Sequence, residues 1–168
     1  KMKKIAKFSK VSESQFILNG SAKDYADIIL PKRATMGRAG YDFFAPKEYS
    51  LAPNETAKIP TGIRVEIENG WVLKIYPRSS LGFKYRLSLD NTVGIIDSDY
   101  FYADNEGHIF IKITNDTNEG KIVDVASGQG FAQGTAMGAV TMGGAHGVYG
   151  IKKLLSKGKT NITNDSTF

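Results

Sequence analysis

The stretch AKIPTGIRVEIENGWVLKIYPR, residues 57–78, constrains the fold more than any other. Ile63, Val65 and Ile67 alternate with polar residues, Asn69-Gly70 intervenes, and Trp71, Leu73 and Ile75 alternate again. A period of two gives each segment one apolar face. Asn-Gly supports the positive φ values of a type I′ turn, so the spacing predicts a β-hairpin. Pro60 has no amide hydrogen and belongs at a strand entrance or a sheet edge. GHIFIKITND, residues 107–116, repeats the alternation with Ile109, Ile111 and Ile113, and Phe110 on the other face predicts a strand covered on both sides. Turn signals recur at residues 52–56, 68–70, 104–107 and 117–120. Many short strands at such intervals predict an all-β fold, an antiparallel jelly-roll-like barrel or sandwich with little helix. The helix signals are short: Ser12 with Gln15 has the spacing of a capping box, and IKKLLSKGK, residues 151–159, reads as a basic amphipathic turn or two.

Composition narrows the class. With 168 residues, 41% of them apolar, and no repeat or linker, the chain suits one domain over 1–168. Residues 1–29 read as an N-terminal extension, and 134–168 as a Gly-rich and basic C-terminal segment. There is no cysteine, so neither a disulfide framework nor a thiolate–metal site is available. His108 and His146 are far apart and lack ligand-spaced partners, which argues against a protein-bound transition metal. No apolar run reaches the roughly 20 residues that span a bilayer, so a soluble, cytoplasmic protein is expected. The net charge of +5 favours anions, but the lysines are dispersed except at the two ends. That distribution points to an anionic small ligand rather than to sequence-specific nucleic-acid binding.

The chemistry concentrates in residues 76–97, YPRSSLGFKYRLSLDNTVGIID. Pro77, Arg78, Ser79, Ser80, Leu81 and Gly82 end a strand with a guanidinium fork, two hydroxyls and a flexible backbone. Those groups suit phosphate oxygens, although an isolated Arg-Ser-Ser is also an ordinary polar loop. Asp97 follows Gly94-Ile95-Ile96, where partial desolvation would raise a carboxylate toward the range of a useful base. A turn aspartate receiving backbone amides has the same local sequence. Tyr100, three positions on, has a ring able to stack on a sugar or a base, or to pack in the core.

In order along the chain, these segments resemble the motifs of the trimeric dUTP pyrophosphatases (dUTPases). Ala39-Gly40-Tyr41-Asp42-Phe43-Phe44-Ala45 is similar to the family's first block, residues 77–82 to the second, residues 91–100 to the third and Gly128-Gln129-Gly130-Phe131-Ala132-Gln133 to the fourth. The resemblance covers residues 30–133. It implies hydrolysis of dUTP to dUMP and pyrophosphate with Mg²⁺, which limits uracil incorporation into DNA and supplies dUMP for thymidylate synthesis. Asp97 would be the catalytic base. Arg78, Ser79, Ser80, Gly82 and Gln133 would hold phosphates. Asn91, Gly94, Ile95 and Ile96 would read the uracil, and Tyr100 would lie under the sugar. Asp42 would support the metal–triphosphate region indirectly, with Mg²⁺ otherwise held by phosphates and water. The resemblance further implies a homotrimer with sites composed across subunits. Alternatives on the same motifs are dCTP deamination and a dUTP-binding regulatory protein. The chain departs from the pattern at Arg38 and Gln129, in the longer connection FYADNEGHIF after Tyr100, and in having no match to the C-terminal Gly-Gly-Phe-Gly-Ser-Thr-Gly block.

Overall fold

In the computed structural model, the described residues are 4–37, 39–118, 122–126, 128 and 130–138. Arg38, Gln129, His146 and residues 151–159 lie outside them. The chain divides into a unit of residues 1–137 and one of 138–168, and the described residues, Gly138 apart, belong to the first. The strands are β1 (Ala6–Lys10), β2 (Tyr41–Phe44), β3 (Tyr49–Leu51), β4 (Thr56–Pro60), β5 (Ile63–Ile67), β6 (Trp71–Pro77), β7 (Leu87–Leu89), β8 (Gly94–Ile96), β9 (Phe110–Asn115), β10 (Val123–Val125) and β11 (Gly130–Gly138). They form four small antiparallel sheets, ordered β1-β5, β3-β10, β2-β11-β6-β8 and β4-β9-β7. The predominantly β architecture expected from the sequence is therefore present.

The alternating segments become strands, but β5 and β6 do not form a hairpin. β5 pairs with β1, Phe8 opposite Val65, while β6 joins β11 and β8. The Trp71 N–H closes the turn on the Glu68 carbonyl at 3.1 Å, and of the two central residues only Gly70 has positive φ, 84°. That is the φ pattern of a type II turn, which splays its flanking strands, whereas a type I′ turn would match their twist. Each strand is thus released to a different sheet. Pro60 ends β4, an edge strand, where its missing donor breaks no ladder.

The core lies between the sheets. Phe43, Leu51, Ile59, Val65, Leu73, Ile75 and Ile113 are all buried in it, and each such side chain contributes about 1.5–3 kcal/mol by leaving water. β9 is apolar on one face only. Ile111 and Ile113 are buried, whereas Phe110 is half-buried with the Lys58 ammonium 4.3 Å from its ring centroid, and Lys112 is exposed. The cover expected over Phe110 is partial, from the Lys58 ammonium and from the His108 ring, whose centroid lies 4.2 Å from that of Phe110.

The N-terminal residues dock through two short helices, α1 (Glu13–Phe16) and α2 (Ala22–Ala26). Phe16 is fully buried against the rings of Tyr25 and His108. Ser12 caps α1 as its sequence suggests, its Oγ accepting from the Gln15 amide at 3.1 Å. Gln15 does not return the bond. The Ser12 amide and hydroxyl instead donate to the two carboxylate oxygens of Glu106, at 2.8 and 2.6 Å. A charged acceptor from a distant loop has displaced the local one, since hydrogen bonds to an ionised carboxylate are the stronger. Ser12→Ala removes both the cap and a donor to Glu106, with an expected loss of about 1–2 kcal/mol in urea unfolding. A midpoint equal to that of the parent protein would contradict this account.

Candidate active site

At one end of β6 the chain leaves the sheet at Pro77 and turns into α3 (Ser79–Tyr85), with Arg78 as its N-cap. The sequence reads this segment as a turn; it is two turns of helix, closed by Arg86 in the left-handed region at φ 50°. Ser79 and Ser80 are exposed in the first turn, where helix amide groups have no intrahelical acceptor. Arg78 is fixed from both sides. Its amide donates to the Phe131 carbonyl at 3.1 Å, and its Nη1 donates to the Gly130 carbonyl at 3.4 Å and lies 4.0 Å from Asp42 Oδ2. Asp42 is 4% exposed, whereas the Arg78 side chain retains 32% exposure. The buried carboxylate therefore orients a cation whose outer part faces solvent. Gly130 leaves room for this approach, since a Cβ there would lie 2.9 Å from Arg78 Nη1 and push the guanidinium aside. Gln133 pairs with Asp42 across β11 and β2. The structure thus brings together Asp42, Arg78 and the β11 segment 130–133.

Asp97 and Tyr100 belong to a second cluster. β8 runs into a 3₁₀ helix, Ser98–Tyr102, capped by Asp97 without a side-chain hydrogen bond. Ile95, Ile96, Asp97, Asp99, Tyr100 and Ala103 line an open cleft of about 460 Å³. Asp97 is exposed and Ile95 is 54% exposed, so the two isoleucines do not desolvate the carboxylate as the sequence suggests. Side chains on β8 alternate across an edge strand: Ile96 packs against the core, whereas Ile95 and Asp97 are exposed among the described residues.

β7 and β8 are joined by a turn in which the Thr92 amide donates to the Leu89 carbonyl at 3.0 Å and Thr92 has φ 58°. They too enter different sheets, β7 beside β9 and β8 beside β6, so the connection at Asn91–Gly94 is again a bridge between sheets. The consequence for recognition is favourable. The outer edge of β8 has no strand partner among the described residues, which leaves main-chain donors and acceptors for a planar ligand. A pocket of about 60 Å³ adjoins it, lined in part by Asn91, Gly94, Ile95 and Ile96. Gly94 lets β8 lie close to β6, because a Cβ would approach Ile75 Cβ to 3.1 Å.

The two clusters lie at opposite ends of one strand. Ile96 is opposite Leu73, and Arg78 follows five residues later along β6. Five extended residues span roughly 17 Å at about 3.3 Å each. Asp97, one step past Ile96, therefore does not face the Arg78 cradle of its own chain.

Sequence reasoning missed Asn105, Glu106 and the His108 main chain, which hold Tyr100 and its loop. The phenol donates to the His108 carbonyl and accepts from Asn105 Nδ2, both at 2.8 Å. The DNEG turn was the available signal. Hydrogen bonds from the Ser12 hydroxyl and amide hold the Glu106 carboxyl below the usual range. Burial pushes the His108 imidazole down to about 4, with Lys58 adding to the shift and Glu106 opposing it.

Among the described residues no three His, Cys, Asp or Glu side chains converge as a metal cage. The buried Asp42 carboxylate beside Arg78 would support an ion held by other ligands rather than cage one. No helix among the described residues is long and apolar enough to cross a membrane.

Residues 26–146 match the dUTPase family model, a span that includes both clusters and passes beyond Gln133. The chain is 43% identical to the deoxyuridine 5'-triphosphate nucleotidohydrolase of Lactococcus lactis over 113 residues, 67% of this chain and 74% of that protein. It is 41% identical to the enzyme of the same name from Finegoldia magna over 54% of this chain and 61% of that one. The dUTPase structure from Streptococcus mutans superposes with a TM-score of 0.65 at 31% identity, over 82% of this chain and 98% of that one. That of the dUTPase from phage phi11 of S. aureus gives 0.62 at 22% identity, over 82% and 92%, a likeness of fold. With a family match over most of its length and a relative at this identity, the chain belongs to the dUTPase family.

Proposed function

We propose that the protein hydrolyses dUTP to dUMP and pyrophosphate in pockets composed from neighbouring copies of the chain. The observation that carries this reading is the separation of an arginine–serine cradle from the Asp97–Tyr100 cleft along β6. Each half is formed, and a second copy is needed to bring a cradle to a cleft. A homotrimer, the assembly implied by the family resemblance, meets that need with three equivalent pockets.

In such a pocket the uracil pairs with the open edge of β8 beside Asn91, and the deoxyribose lies against the Tyr100 ring. Arg78, with the Ser79 and Ser80 hydroxyls and amides and the Gly82 turn, offsets charge on the phosphates; Gln133 on β11 adds to this grip. Asp97 accepts a proton from water as the water oxygen bonds to the α-phosphorus and the bond to the pyrophosphate oxygen breaks. Mg²⁺ brought by the triphosphate supplies further charge neutralisation. Enclosure by the second copy would provide the desolvation of Asp97 that one chain lacks. In the cell this activity keeps uracil out of DNA and supplies dUMP for thymidylate synthesis.

Pyrophosphate release from dUTP, dCTP, dTTP and UTP, with and without Mg²⁺, tests the assignment. Release is expected from dUTP with Mg²⁺, at a kcat/KM at least about 100-fold above that for UTP. Ammonia release from dCTP would reassign the chemistry to deamination. Light scattering that reveals an active monomer would remove the composite pocket.

A further inference from the structure

Tyr100 is anchored at the tip of its ring. Its hydroxyl donates to the His108 carbonyl and accepts from Asn105 Nδ2, each at 2.8 Å, so one donor and one acceptor capacity are engaged. Both partners come from the connection that follows the tyrosine itself. Asn105 is fixed in turn: its Oδ1 accepts from the Gly107 amide at 3.1 Å and its carbonyl from the His108 amide at 3.0 Å. The loop folds directly onto the tyrosine main chain, since Gly107 has φ 70° and a Cβ there would lie 2.7 Å from the Tyr100 carbonyl oxygen. His108 is immobilised as well. Its ring is fully buried and its Nε2 accepts from the Gly62 amide at 3.0 Å. Two residues before it, Glu106 holds Ser12.

We propose that Asn105 is a positioning residue for sugar selection: by holding the phenolic oxygen, it fixes the Tyr100 ring as an unyielding wall of the Asp97 cleft. The inference rests on the reading of Tyr100 as the ring under the deoxyribose. A 2′-hydroxyl is a single extra oxygen, and a ring free to tilt about its two side-chain torsions would make room for it. A ring held at both ends does not. The discrimination is steric, so the cost to a ribonucleotide depends on how stiffly the wall is supported.

The test uses Asn105→Ala, Tyr100→Phe, the double variant of these two, and Tyr100→Ala in the full chain, with kcat/KM measured for dUTP and UTP. Tyr100→Phe keeps the ring and deletes only its anchor. Each single change is expected to lower the dUTP:UTP ratio, Asn105→Ala about fivefold, the effect of one hydrogen bond, and Tyr100→Phe, which also deletes the bond to the His108 carbonyl, by more. Asn105→Ala should do so mainly through a lower KM for UTP, with kcat for dUTP little altered. The double variant should match the more affected single within about twofold, because both changes remove the same bond. The ratio compares two substrates on one sample, so partial unfolding cancels from it. Unchanged ratios in both single variants, with a collapse in Tyr100→Ala, would overturn the role of Asn105 and leave the sugar-facing tyrosine standing. Fully additive effects would also overturn the shared anchor. An unchanged ratio in Tyr100→Ala would overturn both readings.

Discussion

Asp97→Asn is expected to reduce kcat for dUTP by roughly 10²–10⁴, the range attributable to a general base, while a non-hydrolysable dUTP analogue still binds. The substitution is unusually clean in this chain. Asp97 is exposed and its side chain makes no capping hydrogen bond to the 3₁₀ helix it precedes, so the isosteric amide should disturb neither folding nor the cleft. A loss of activity with analogue binding retained would then report the missing proton acceptor. Rapid-quench pyrophosphate release, paired with calorimetric titration of the analogue, separates chemistry from binding. Turnover within a few-fold of the parent would remove Asp97 as the base; loss of analogue binding together with turnover would make it a substrate-binding group instead.

The second large effect is on stability in acid, and it centres on His108. Burial lowers the folded imidazole from 6.5 to about 4. The folded protein therefore binds fewer protons than the unfolded chain between those values. Above about 6.5 the group contributes nothing to the pH dependence, and stability falls as pH drops from there to about 4. The full loss is about 3 kcal/mol, at about 1.4 kcal/mol per pH unit. Protonation would also place a charge among the rings of Phe16 and Phe110 and near the Lys58 ammonium, with Glu106 the counter-charge. The Glu106 carboxyl, lowered by its bonds to Ser12, adds a separate loss only as pH falls through its own depressed value. His108→Gln retains an acceptor for the Gly62 amide and cannot titrate. Its urea-derived stability should lack the slope between pH 6.5 and 4, and a slope equal to that of the parent would assign the effect to other groups.

Strand positions were legible in the sequence because alternation is a local property of a half-buried surface. Strand partners were not. The segment around Asn69-Gly70 forms both of its strands, yet β1, more than fifty residues away, occupies the edge of β5 that the hairpin would need. A two-residue turn signal fixes φ preferences but not the competition for an edge, and here a single positive φ at Gly70 decided the outcome. The capping box failed in the same manner: Ser12 and Gln15 have the right spacing, but the Glu106 carboxylate arrives from the long connection after Tyr100. The site was legible in pieces, because each block is a contiguous peptide. The pairing of Asp42 with Arg78 over Gly130, and the anchoring of Tyr100 by Asn105, depend on approaches that only the folded chain defines. The solvent exposure of Asp97 was invisible for a related reason: apolar neighbours in sequence shield a carboxylate only if something packs on the far side of them.

β6 has a role that none of its individual side chains reveals. With Arg78 mounted at one tip and the Asp97-bearing strand registered near the other, it would work, in the proposed assembly, as a ruler whose length sets the offset between adjacent pockets. Adding or deleting one residue within it would shift that offset by about 3.3 Å and exchange inward for outward side chains over the remainder. Such a change would leave every reactive group in the chain and put all the pockets out of phase together.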